Sequence, residues 1–182
     1  MYFIIDSYLF IILISILIVA AVIDIRIRKI PNLLTFPTMV LGLVYHGVTN
    51  GWEGLLFSFG GLALGMALFF ILYFMGGMGA GDIKLMGAVG AIIGSKGILL
   101  TAFLSVLVGG VYALIVLLFN IQYAKDLIKR SYMTIKSFFF TRQFIPIPAD
   151  KSAEKPKLCY GVAIAIGTFS YLLLECYGYH PI

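Results

Sequence analysis

Two of the eight acidic residues in this chain, Asp24 and Asp82, stand at the borders of long apolar runs. Asp24 closes the run at 11–23 and precedes the basic cluster Arg26, Arg28 and Lys29. Asp82 opens another run, behind the glycine-rich stretch Gly76-Gly77-Met78-Gly79-Ala80-Gly81. Among the other acids, Asp6, Glu53 and Glu175 belong near the opposite membrane face, and Asp126, Asp150 and Glu154 occupy a long polar loop. An ionisable side chain at the edge of a membrane helix marks a functional site by default. Two of them at one depth suit aspartic proteolysis. Carboxylates brought together cannot both ionise easily, so the pair holds one proton. The charged member can act as base on a water while the protonated member polarises a scissile carbonyl. That chemistry requires neither a metal nor a cofactor, and none is expected. Each acid also has a plainer use. Asp82 would make a helix N-cap, and Asp24 could pair with Arg26 or Arg28 at the membrane border.

The elements that must position these acids are membrane helices. Of 182 residues, 62% are hydrophobic and 12% charged, with a mean hydropathy of +1.06. Soluble domains carry roughly 25% charged residues, so the chain is an integral membrane protein. Its net charge of +5 fits cytoplasmic loops facing a bilayer rather than a nucleic acid partner. The N-terminus lacks the basic n-region of a secretory signal and reads as a first membrane helix. Measured against the ~20 residues needed to cross a bilayer, six apolar segments fall at about 3–23, 33–48, 54–75, 82–95, 97–119 and 158–178. The fourth is short and carries Gly87, Gly90 and Gly94, as a helix packed inside the bundle would. Gly61 and Gly65, in the third, would be its mate.

With six spans, every basic residue except Lys96 lies on one side, which sets both termini outside and the basic loops in the cytoplasm. Asp24 and Asp82 then share the cytoplasmic border. In the loop at 120–157, Ile121, Ala124, Leu127, Ile128, Ile135, Phe138 and Phe139 fall on one helical face beside Lys125, Lys129 and Lys136. That pattern predicts an amphipathic helix lying on the anionic inner leaflet. The expected fold is therefore an all-α integral membrane protein, six transmembrane helices plus a cytoplasmic interfacial amphipathic helix, in one domain over residues 1–182.

Other chemistries fit poorly. Cys159 and Cys176 would stand roughly 25 Å apart on one helix, too far for a disulfide. No CxxC pair suggests structural zinc, and His46 and His180 are isolated, without the HExxH of a zinc protease. Ser95 and Lys96, adjacent on a helix, do not face each other as a dyad would require. Lys84, two residues past Asp82, faces away from it and is expected to snorkel toward lipid phosphate. A small proton- or cation-coupled transporter is the rival reading, but no ionisable residue at mid-membrane completes a path. A noncatalytic subunit of a secretion machine is a third.

At these residues the sequence resembles the type IV prepilin peptidase family, membrane aspartic proteases of the GxGD class. The matching stretches are Asp24-Ile25-Arg26-Ile27-Arg28-Lys29-Ile30-Pro31-Asn32-Leu33-Leu34-Thr35 and Gly79-Ala80-Gly81-Asp82-Ile83-Lys84-Leu85. Tyr160-Gly161-Val162-Ala163-Ile164-Ala165-Ile166-Gly167-Thr168 looks like the family's last helix, with Cys159 where a proline is usual. The resemblance implies Asp24 and Asp82 as the catalytic pair. Gly79, Gly81, Lys84, Asn32 and Tyr160 would bind substrate or shape the loop. It implies prepilin-like precursors as partners, cut after a short basic leader at the cytoplasmic face of a prokaryotic inner membrane. Larger members carry paired CxxC motifs and also N-methylate the new terminus. This chain resembles the short, protease-only form that serves Flp-type pilins or archaeal-type precursors, with no methyltransferase activity expected.

Overall fold

The computed structural model describes residues 7–74, 77–121 and 159–177, together with 125, 128, 129, 132 and 133. Four helices account for nearly all of them: α1 (Ser7–Ile27), α2 (Asn32–Phe74), α3 (Ala80–Phe119) and α4 (Tyr160–Cys176). Among the described residues three segments are long and apolar enough to cross a membrane, Tyr8–Ile27, Asn32–Phe74 and Ala80–Phe119, and α4 is a shorter apolar helix. The chain divides into two compact units, Met1–Gly109 with Cys159–Ile182, and Gly110–Leu158.

The apolar runs expected at 33–48 and 54–75 both lie in α2, and those at 82–95 and 97–119 both lie in α3. At 1.5 Å per residue a 43-residue helix would reach about 65 Å, twice the ~30 Å of a hydrocarbon core. Neither helix is straight. Gly51 (φ 59°, ψ −137°) breaks α2 and Gly94 (φ 75°, ψ −179°) breaks α3, conformations with positive φ that only glycine adopts without strain. The chain reverses at both. Gly42 and Gly61, on either side of Gly51, meet neighbouring stretches of one α3 arm: Gly42 the Ala91 backbone, Gly61 the backbone of Gly90 and Gly94. Gly65 in turn meets the Met86 carbonyl and the Ile98 side chain, which lie on either side of Gly94.

The arm of α3 before Gly94 is the centre of the first unit. Residues 85–94 are all buried, as expected of a short glycine-bearing helix inside a bundle. The expected mate is also found, since a Cβ on Gly61 would strike the Gly90 carbonyl and Gly94. Breaking a helix leaves its last carbonyls without intrahelical partners, and in a buried arm these need side chains. His46 Nε2 lies 2.9 Å from the Ile92 carbonyl, and Ser58 Oγ donates to the Ala91 carbonyl at 2.6 Å. The arm after Gly94 runs antiparallel to α4, with Gly97 against Tyr171, Ser105 against Gly167 and Gly109 against Tyr160 and Ala163.

Helix α1 packs along α4 and touches α2. Its buried residues are Leu9, Leu13, Leu17, Ala20 and Asp24, spaced by three or four, so they form one stripe on a helix of 3.6 residues per turn. Asp24 is the last member of the stripe that faces the bundle. In the second unit, Ile121, Lys125, Ile128, Lys129, Tyr132 and Met133 are helical and exposed. The remainder of the expected amphipathic helix lies outside the described residues.

Candidate active site

Asp24 does not end α1, as the apolar run suggests, but sits in its last turn, since the helix continues to Ile27. Arg28 closes it in a left-handed conformation (φ 56°), its N–H donating to the Asp24 carbonyl at 2.8 Å. That ending usually takes glycine, and a side chain there costs about 1 kcal/mol. The carboxyl of Asp24, only 5% exposed, turns away from the basic cluster. Its Oδ2 accepts the N–H of Gly161 in the first turn of α4, at 2.8 Å. Among the described residues it forms no ion pair with Arg26 or Arg28. The Cys159 thiol lies 3.8 Å from the Asp24 carbonyl, so Cys159 and Gly161, two residues apart at α4's start, both bear on this one residue.

Asp82 is held by a similar device. The N-cap of α3 is Gly79, and Asp82 falls in the first turn instead of capping it. From there its Oδ2 accepts the Gly79 N–H at 2.9 Å, while its own N–H donates to the Gly79 carbonyl at 3.1 Å. This is the back-reaching half of a capping box, with Asp where Glu is usual. Asp82 is 7% exposed. Both acids therefore rest one oxygen on the amide of a glycine at a helix start, Asp24 across the bundle and Asp82 within its own turn.

Three contacts draw these parts together. Gly81 lies against Ile30, where a Cβ would come within 3.1 Å of the Ile30 Cβ and 3.2 Å of its carbonyl. The turn after α1 is thereby pressed onto the loop before α3. Lys84 Nζ donates to Asn32 Oδ1 at 2.8 Å and lies over the Phe36 ring, 5.1 Å from its centroid. The expected snorkelling lysine thus ties the start of α3 to the start of α2. Tyr160, half-buried, lies within electrostatic reach of Asp82, and Asp82 within reach of Asp24. A Cβ on Gly77 would lie 4.0 Å from the Tyr160 hydroxyl. Asp24, Asp82 and Tyr160 thus share one neighbourhood, bounded by Gly79, Gly81 and the Lys84–Asn32 bond.

Two participants carry no separate expectation in the sequence: Gly161 and Ile30 stand there only within the resembling stretches. A glycine one residue beyond Tyr160 gives no sign that its amide faces a carboxylate from another helix.

The sequence profile of the type IV leader peptidase family matches residues 11–114. The chain belongs to that family. It is also 34% identical over 105 residues to the prepilin leader peptidase/N-methyltransferase of Bacillus subtilis (strain 168). That alignment covers 56% of this chain and 42% of the relative, so the chain spans less than half of the relative's length. No solved structure matches. Asp24, Asn32, Gly79, Gly81, Asp82 and Lys84 all fall inside the matched residues 11–114, and Tyr160 and Gly161 lie beyond them.

Proposed function

We propose that this leader peptidase family member is a membrane-embedded aspartic endopeptidase. It removes the short basic leader from prepilin-like precursors, of Flp or archaeal type, at the cytoplasmic face of a prokaryotic inner membrane. The observation that carries this reading is the arrangement of Asp24 and Asp82. They come from different helices, both are buried, each has one oxygen anchored to a glycine amide, and the turns that follow and precede them are pressed together at Ile30 and Gly81.

In the reaction the pair holds one proton. The charged carboxyl takes a proton from a water, whose oxygen attacks the scissile carbonyl while the other carboxyl donates to the carbonyl oxygen. Collapse of the tetrahedral intermediate breaks the C–N bond, and the amine leaves with a proton from the pair. Each Oδ2 is occupied by an amide, so the Oδ1 atoms are the ones to meet water and substrate. A precursor with an apolar helix and a positive leader presents its scissile bond at this membrane border. The reading includes six crossings with both termini outside, supported by the reversals at Gly51 and Gly94. It assigns peptide cleavage without N-methyl transfer.

The test is cleavage of a co-expressed pilin precursor, scored by mass at its N-terminus. Wild type is expected to cut, and Asp24→Asn and Asp82→Asn each to lose activity by at least the roughly 100-fold typical of a missing general acid or base. Equal cutting by all three proteins, in a host without other such peptidases, would refute the aspartic mechanism.

A further inference from the structure

We propose that Gly161 is a positioning residue of this site, its amide and its missing side chain together fixing the carboxyl of Asp24. The inference rests on the assignment of Asp24 as one of the catalytic pair. Two independent features of Gly161 point at the same side chain. Its N–H donates to Asp24 Oδ2 at 2.8 Å. A Cβ built on it would lie 2.9 Å from Oδ2, 3.0 Å from Cβ and 3.1 Å from Cγ of that residue. All three of the nearest atoms belong to Asp24, so a methyl group could be accommodated only by moving the aspartate.

The local chain explains why the amide is available. The first N–H groups of a helix have no intrahelical acceptor, and the N-cap of α4, Cys159, makes no side-chain capping bond. Asp24 supplies that acceptor from α1. The bond works in both directions: the aspartate caps α4, and α4 holds one carboxyl oxygen so that the other faces the reaction. Asp82 has a looser arrangement, because a methyl on Gly79 would stand 3.4 Å from its Oδ2, an ordinary contact. The steric demand is therefore specific to Gly161.

Gly161→Ala keeps the amide and adds only the methyl, so it isolates geometry. Misplacing a reacting group by about 1 Å costs on the order of 100-fold in rate. The expected result is a fall in kcat of roughly that size with KM unchanged, because the added methyl displaces a reacting group and touches nothing but Asp24 among its three nearest atoms. Gly167→Ala, also on α4 but against Ser105, serves as the packing control. It is expected to lower the melting temperature while leaving kcat per folded enzyme at the wild-type level. Wild-type kcat in Gly161→Ala, alongside an inactive Asp24→Asn, would overturn the positioning role and leave the proposed function standing. An active Asp24→Asn would instead remove the function itself. If Gly161→Ala does not accumulate as folded protein, the Asp24→Ala/Gly161→Ala double variant decides. Recovery of the fold on removing the carboxyl supports the collision, and no recovery overturns it.

Discussion

Each carboxyl of the pair spends one oxygen on a glycine amide, which reduces its freedom to rotate before any substrate arrives. Such anchoring is worth more in a membrane protein than at a wet surface, where water could replace the amide. The glycines of the loop are not alike in this respect. Gly79→Ala keeps the amide and meets only ordinary contacts, so cleavage is expected to stay within a few-fold of wild type. Gly81→Ala drives a methyl into the Ile30 backbone and Cβ, and overpacking of that kind costs about 1–3 kcal/mol. Thermal unfolding of the two variants, with precursor cleavage beside it, checks the contrast. The two acids were legible in the sequence because charge is rare in apolar runs. Their partners were not. A backbone amide leaves no trace in residue identity, and Lys84 reads as a lipid-facing cation until Asn32 is seen opposite it.

Helix intervals were legible to within a few residues, since apolar runs and glycines mark them. Which face each helix buries was not. In α1 the buried stripe through Leu9, Leu13, Leu17 and Ala20 is apolar, and so are the lipid-side residues Ile11, Ile18, Val19 and Val22. Hydrophobic periodicity therefore carries no signal, and the inward aim of Asp24 emerges only from packing. The reversal at Gly94 depends on two side chains that the sequence reading left idle or set aside, Ser58 and His46. Ser58→Ala is expected to strand the buried Ala91 carbonyl and lower stability by about 1–3 kcal/mol. Because Ser58 is remote from the carboxyl pair, kcat per folded enzyme should not change. Denaturation in detergent, paired with single-turnover cleavage, separates the two effects, and a loss of rate without loss of stability would contradict the capping role.

At the scale of the molecule, family membership rests on residues 11–114, while the site draws on α4 as well. The proposed orientation makes a direct prediction in a background where Cys159 and Cys176 are serine. Lys96→Cys should react with a membrane-impermeant maleimide on intact cells, and Lys129→Cys only after lysis. The reverse pattern would invert the protein and put the carboxyl pair on the outer face, away from a leader retained in the cytoplasm.

The amide that holds Asp24 comes from a residue 137 positions later in the chain. During synthesis Asp24 and Asp82 are both made before α4. Until then Asp24 lacks the partner that fixes it, and the pair is present without being set. On the proposed function, for a peptidase made among membrane proteins it could damage, the order of translation acts as a safety catch: the carboxyl pair is armed only when α4 arrives.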